Sequence, residues 1–367
     1  LINDPYDSQT AVRDPRLRVM SNGQPIPGAL SASVTATNTF HADQFSLSFA
    51  ASAGPDGWWD VDPPWILDVQ ISLDGIGWQS LIVGEVDHLT FHPTTGLLEA
   101  EGRDLSARMI ETKTQEAFAN QTSSEVATTI AARHGMTAQV VPTKTLVGRY
   151  YTEDHSRMTA DQFSRTTTEW DLLIYLAQRE GYDLFVSGMV LYFQPSTSAN
   201  ADPYVINWAQ GVIPRMNVTS LQLERSLTLA KDVQVDVRSW NSRQARSFTK
   251  TARAIGGKAA NTGSSVAKGA TSTQRYVLVR PNLTEDQAQQ LANQTAADIT
   301  RNERAVAIEM PGELTLTPRT MLQIQGTGTS FDQTYWIESI DRSISFDEGF
   351  RQSVRCKNTS PRSMAQV

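Results

Sequence analysis

Few residues in this chain have the types and spacing that chemistry requires. His88 and His92 lie four apart in an alternating stretch, and they share a strand face only if the strand stays regular; Pro93 predicts that it ends there. Two imidazoles could begin a zinc site, but the sequence offers no evident third ligand nearby. Asp60 and Asp62 flank Val61 just before Pro63-Pro64. A carboxylate pair can serve glycoside hydrolysis, although capping of the loop suits this context better. Trp58, Trp59 and Trp65 could stack on a sugar, while clustered tryptophans more commonly fill a core or an interface. Cys356 is the only cysteine, which excludes an intrachain disulfide and a cysteine-rich zinc site. The sequence has no Gly-x-Ser-x-Gly, no phosphate loop and no His-Glu-x-x-His. Asn217 and Asn282 open Asn-x-Ser/Thr triplets, which carry no meaning without a secretory signal. The expectation is a chain with no catalytic, cofactor-binding or metal-binding residues.

The bulk properties narrow the class. The chain has 367 residues, room for about two or three domains, and an ordinary hydrophobic content of 40%. A formal net charge of −7 argues against nucleic-acid binding as the main activity, because neutralising phosphates requires a basic face. An acidic channel that lets DNA pass without sticking stays compatible with that charge. No apolar run reaches the roughly 18 residues of a membrane span and no signal peptide is seen, which implies a soluble, intracellularly made, β-rich protein.

The elements that would position such residues can be read from periodicity. Asn22-Gly23 marks a hairpin turn after Leu17 to Met20. Alternation through Leu30 to Thr37, Gln44 to Phe49, Trp65 to Leu73, Leu81 to Val83, Val86 to Phe91 and Leu97 to Glu101 predicts six or seven short strands, as in a sandwich or barrel. The period changes at Gly102. Asp104 can cap a helix carrying Leu105, Met109 and Ile110, and Thr122 to Glu125 opens a second with Val126, Ile130 and Ala131 on one face and Gly135 past its end. A third helix is expected near Thr159, with Phe163 apolar. Thr168 then caps a fourth, with Glu169 and Asp171 at the positive end of its dipole and Trp170, Leu173, Ile174 and Ala177 on its buried stripe. Gly181 closes it, and Tyr182 to Val186 and Met189 to Phe193 form a hairpin about Ser187-Gly188.

Leu221 to Val237 alternates again. Residues 241–273, rich in Ser, Ala, Gly and Thr, carry Arg243, Arg246, Lys250, Arg253, Lys258 and Lys268 with no acidic residue, which predicts a mobile surface loop or a basic arm that orders against an acidic partner. Thr284 and Gln287 make a capping box for a helix from Glu285 to about Asn302. Strands follow at Ala305 to Met310, Met321 to Gln325, Tyr335 to Ile340 and Phe350 to Cys356. Gly84 to Glu101 and Ile337 to Cys356 both read as strand, turn with Gly, strand, and a shared apolar-Asp pair, Val86-Asp87 and Ile340-Asp341, suggests a weak repeat.

The expected fold class is β-rich α+β, with two related β-barrel domains, an inserted small α/β domain and a further helix-containing insertion. The expected boundaries are an N-terminal segment 1–12, a first β-barrel domain 13–103 and the inserted α/β domain 104–203. A second β-barrel domain takes 204–240 and 305–358, the insertion 241–304 and a C-terminal tail 359–367.

Gly102-Arg103-Asp104-Leu105-Ser106, the helix closing on Ala131-Ala132-Arg133-His134-Gly135, and Trp170 to Leu173 with Leu176 to Tyr182 resemble the tail or baseplate hub proteins of contractile-tailed phages. This is the late control protein D family, related to the hub part of type VI secretion spike proteins. Met310-Pro311-Gly312, Leu314 to Pro318, Ile324 to Gly328, Phe331 to Ile337 and Gly349-Phe350 resemble the closing barrel strands of that family, so the likeness runs over roughly residues 12 to 358. It implies tail-tube-like barrels and a homotrimeric ring that adapts the sixfold tail tube to a threefold central spike and passes DNA through its channel. The implied partners are the tail tube protein and a trimeric central spike protein, together with tape measure and baseplate wedge proteins. The implied location is the virion tail baseplate, assembled in the host cytoplasm. No spike or enzymatic domain follows residue 358, so a separate spike partner is expected. A carbohydrate-binding adhesin using Trp58, Trp59 and Trp65 is the alternative reading, and a cell-wall hydrolase using Asp60 or Asp62 stands third.

Overall fold

A computed structural model of the chain describes residues 14–114, 118, 120–144, 146–147, 168–196, 202–209, 215–226, 233–241, 246–254, 274–281, 283, 285–300 and 303–358. The expected segment 1–12, the helix near Thr159 with Phe163, the capping role of Thr284 and the tail 359–367 lie outside these residues. Strands β1 (Arg16–Ser21) and β2 (Gln24–Ile26) close on Asn22 and Gly23, whose φ values of 50° and 76° are the positive pair that a tight two-residue hairpin needs. Then come β3 (Ala29–Thr37), β4 (Gln44–Ala50), β5 (Ile66–Ser72), β6 (Gln79–His92) and β7 (Leu97–Asp104). They pair antiparallel in the order β3-β4-β7-β6-β5, with β1 outside β5. Alternate residues of each strand fill one core, in which Phe45, Leu47, Phe49, Leu67, Val69, Ile71 and Leu98 are buried. The Phe45 ring needs the space left by two glycines. A Cβ on Gly102 would lie 2.5 Å from the ring and 2.1 Å from the Glu85 carbonyl oxygen, and one on Gly84 would meet the Arg103 carbonyl oxygen at 2.3 Å.

A small α/β unit follows, made of α1 (Ser106–Glu111), β8 (Gln121–Thr122), α2 (Ser123–Arg133), β9 (Thr137–Val140), β10 (Leu146–Val147), α3 (Glu169–Glu180), β11 (Tyr182–Ser187) and β12 (Val190–Pro195). Both long helices open on reciprocal capping boxes, Thr122 with Glu125 and Thr168 with Asp171, and Gly181 ends α3 in the left-handed conformation at φ 71°. The helices cover the sheet β11-β12-β9, burying Val126, Ile130, Leu173, Leu176, Leu191 and Phe193. Leu172 joins the expected stripe of α3, while Ile174 is only partly buried. The closing pair of the hairpin is Ser187 with Val190, so its turn is Gly188-Met189, one residue later than expected.

The second half contains β13 (Tyr204–Ala209), β14 (Arg215–Met216), β15 (Ser220–Arg225), β16 (Val233–Asn241), β17 (Arg246–Ala254), β18 (Gln274–Val279), α4 (Glu285–Thr300), β19 (Arg304–Pro311), β20 (Met321–Gln325), β21 (Thr334–Ser345) and β22 (Gly349–Asn358). Two expectations need correction here. Leu221 to Val237 is not one strand: β15 pairs with β19, whereas β16 pairs with β17 and β18 in a separate three-stranded sheet. The boundary placed between 240 and 241 therefore falls inside the β16–β17 hairpin. Of the expected loop 241–273, residues 242–245 and 255–273 lie outside the described residues, but 246–254 form the strand β17, and its Lys250 meets Glu285 of α4 at 2.8 Å. Val233, Val235 and Val237 pack there against Ala288, Ala292 and Ala296 of α4, a core of their own.

What remains of the second half repeats the first. Its antiparallel order β15-β19-β22-β21-β20 copies β3-β4-β7-β6-β5 strand for strand. The match extends to a β-bulge, which leaves Asp87 out of the β6–β7 register and Glu338 out of the β21–β22 register. Each bulged acid forms an ion pair with a base on the next strand, Asp87 with Arg103 at 2.6 Å and Glu338 with Lys357. Aligning the bulges equates Phe45 with Val306, Gly84 with Tyr335, Gly102 with Cys356, and Thr90 with Asp341. The two hairpins singled out in the sequence do correspond, but the Asp87–Asp341 match is three residues out of register. The two units join edge to edge: beyond its bulge, β21 pairs antiparallel with β3, from Ser339 opposite Thr37 to Ser345 opposite Ser31. One 14-stranded sheet results.

Candidate functional site

The residues weighed for chemistry do not converge. His88 and His92 are exposed on β6, which continues through His92, and His92 Nε2 lies 3.3 Å from Glu99. Among the described residues, no three His, Cys, Asp or Glu side chains are placed to hold a metal ion. Asp60 and Asp62 are exposed in the loop before β5. The tryptophans pack onto the first core. Trp58 stands edge-on to Phe49 at 5.8 Å and donates its indole N–H to the Ala51 carbonyl at 2.9 Å, Trp59 lies against Phe91 at 4.8 Å, and Trp65 is partly buried. Cys356 is fully buried, and that burial pushes its thiol well above the usual range, which makes it inert.

A groove of about 630 Å³ opens between the first β unit and the α/β unit, bounded by Pro63-Pro64 and by Glu85, Arg108, Arg133 and His134. Its charges are already committed. Arg108 meets Glu85 at 2.9 Å, and Arg133 and His134 both hold Glu169, His134 Nε2 at 2.5 Å from a carboxylate oxygen. The Glu169 carboxylate is buried at the start of α3, where the helix dipole also favours it. Thr112, also on the groove, donates its hydroxyl to the Arg108 carbonyl at 2.8 Å. The sequence flagged Glu169 only for its place on the dipole; its role as a buried anchor depends on residues 35 and 36 positions away.

A second cluster sits where the units meet. Asp43, between β3 and β4, accepts the Thr37 N–H at 2.8 Å, and Asp104, at the end of β7, accepts both the N–H and the hydroxyl of Ser106. Burial raises Asp43 to about 6, against the pull of Arg319 and Arg342. Burial raises Asp104 to about 7, with the neighbouring Asp43 charge adding to it. Burial likewise depresses both arginines, Arg342 to about 10. Arg342 of β21 donates to the Glu313 and Leu316 carbonyls, and the Arg319 guanidinium lies 4.0 Å from the Phe185 ring of β11. Neither carboxyl lines the groove. The cluster binds together β3, β7, β11 and β21, which come from all three parts of the chain, and the Trp170 indole bond to the Phe40 carbonyl at 2.6 Å adds a further tie. Asp104 was expected to cap α1; it does bond Ser106, but its larger contribution is to this cluster. Asp43, Arg319 and Arg342 belong to no local motif.

The fold is shared with phage tail proteins. A tail protein from Neisseria meningitidis MC58 is similar with a TM-score of 0.70 at 14% identity, over 95% of this chain and 98% of that one. A tail protein of prophage MuSo2 from Shewanella oneidensis gives 0.65 at 15%, over 96% and 98%. An E. coli component of the type VI secretion system, which itself shows structural similarity to the T4 tail proteins gp27 and gp5, gives 0.55 at 10%, over 94% and 77%. At these identities the likeness is one of fold. No curated protein matches the chain. The family model described as the Alg8 N-terminal domain matches residues 86–345, more than half of the chain. The chain belongs to the Alg8 N-terminal domain family. In this Alg8 N-terminal domain chain the matched span opens beside the bulge of β6 and closes at the last residue of β21. It takes in the α/β unit, the β16–β18 sheet and Asp104, Glu169, Arg319 and Arg342, but leaves out β1 to β5 and Asp43. Among the described residues no helix is long and apolar enough to cross a membrane.

Proposed function

We propose that the chain is a structural hub of a phage tail or baseplate, of the late control protein D type, acting through geometry and not through turnover. Its reading is a homotrimeric ring in the virion baseplate, assembled in the host cytoplasm, that adapts a sixfold tail tube to a threefold central spike. DNA passes through its channel without specific binding. The observation that carries this reading is the duplicated five-strand unit. Two similar units in one chain present six similar faces when three chains close a ring, which is how a threefold assembly can meet a sixfold tube. The shared tail-protein fold and the committed charges of the groove support a role without catalysis. The acidic balance favours a channel wall depleted of Lys and Arg. Native mass spectrometry together with class-averaged electron images tests the proposal, with a threefold ring as the expected result. A chain that stays monomeric at micromolar concentration when tube and spike subunits are added would overturn it.

A further inference from the structure

The duplication allows the internal joint to be transferred onto the outer edges of the chain. Among the described residues, β6 beyond its bulge has a neighbour on one side only, β7, and β15 has only β19. In the second unit the stretch equivalent to that part of β6 is the part of β21 that pairs with β3, and β15 is the equivalent of β3. The chain thus contains one joint of the type β21·β3 and the two unmatched halves of a second, β6 and β15.

The residues on the free edges suit each other. In the internal joint Ile340 and Val34 are buried, and Thr35 donates its hydroxyl to Asp341 at 2.7 Å. Carrying the register across places Phe91 opposite Leu223, Thr90 opposite Glu224 and His92 opposite Gln222. Phe91 and Leu89 are large apolar residues left exposed on an edge strand; Leu223, opposite Phe91, is only partly buried, and Leu89 falls opposite Arg225. Uncovered, such an edge is an aggregation hazard. The hydroxyl–carboxylate pair of the internal joint reappears with its roles exchanged, the hydroxyl now on Thr90 and the carboxylate on Glu224.

We infer that the edge His88–His92 of one copy pairs antiparallel with Gln222–Ser226 of a second copy of this chain, in the register Thr90 to Glu224, reproducing between chains the joint that β21 and β3 make within one. This rests on the ring reading above and specifies its interface. The test is cysteine cross-linking in the full chain, because directly opposed antiparallel residues lie about 4.5–5.5 Å apart at Cα, within disulfide range. Thr90→Cys with Glu224→Cys, and independently His92→Cys with Gln222→Cys, should give a reducible ladder ending at a trimer. Yields should be at least about tenfold above those of the single variants and of the offset pair Thr90→Cys with Gln222→Cys. All four side chains are exposed, so the variants should melt as the parent does. A trimer by native mass with no ladder from either matched pair would overturn the edge pairing while leaving the ring intact. Equal linking by the offset pair would overturn the register, and a strictly monomeric chain would remove both proposals.

Discussion

The two β units have the same strand order, the same bulge and the same bulge ion pair, yet they fill the space beneath them in opposite ways. In the first unit a large ring, Phe45, sits over two glycines, 84 and 102. In the second, a smaller residue, Val306, takes the ring's place and Tyr335 and Cys356 stand where the glycines were. Tyr335 is buried, and its hydroxyl donates to the Phe331 carbonyl at 3.0 Å. The bulk moves from the single position on β4 to the two positions that face it. A shared backbone therefore does not require a shared sequence, provided that each pocket is complementary within itself. This explains why the repeat is faint in sequence and plain in topology.

The comparison can be broken most directly at the glycines. Gly102→Val should cost about 3 kcal/mol or more, because the added carbons meet both a ring and a carbonyl oxygen. Cys356→Ala, at the equivalent position, should cost only about 1–2 kcal/mol for a small cavity. Urea titrations of the two variants would read this, and equal losses would mean that the units are packed alike after all.

The joint between the units should respond to pH. Asp43 and Asp104 have folded values of about 6 and about 7 against an ordinary 3.8, so the folded state retains protons that the unfolded chain has released. Their contribution is most favourable below about pH 4 and is lost as the pH rises through 6 to 7, by several kcal/mol in all. Asp104→Asn and Asp43→Asn should each flatten that fall in melting curves taken from pH 4 to 8. A profile left unchanged by both substitutions would show that the cluster does not link the units.

The smallest effects are expected at the bulges. Asp87→Asn and Glu338→Gln should each cost about 0.5 kcal/mol, since both pairs are partly exposed and screened. Matched losses in thermal melts, shrinking together in high salt, would sharpen the equivalence of the two bulges, and a loss at one only would weaken it.

Much of this was legible where the signal is local. Thr122 to Glu125, Thr168 to Asp171, Asn22-Gly23 and Gly181 each specify a cap or a turn within a few residues. The β16 strand was misassigned because its alternation continues that of β15, and a two-residue period carries no mark of which sheet a strand will enter. β17 reads as a loop because Arg, Ser, Thr and Lys dominate a strand with one exposed face. The Asp43, Asp104, Arg319 and Arg342 cluster gathers residues from opposite ends of the chain, so spacing could not reveal it.

The insertion between β15 and β19 also has a bearing on how the chain folds. In the first unit, β3 and β4 meet across residues 38–43, whereas in the second the equivalent strands are separated by residues 226–303. Closing the longer loop costs roughly 2 kcal/mol more chain entropy, unless the β16–β18 sheet and α4 form first and draw its ends together. The N-terminal half is thus the natural nucleus, and the two halves of an evenly built ring are expected to be made in sequence.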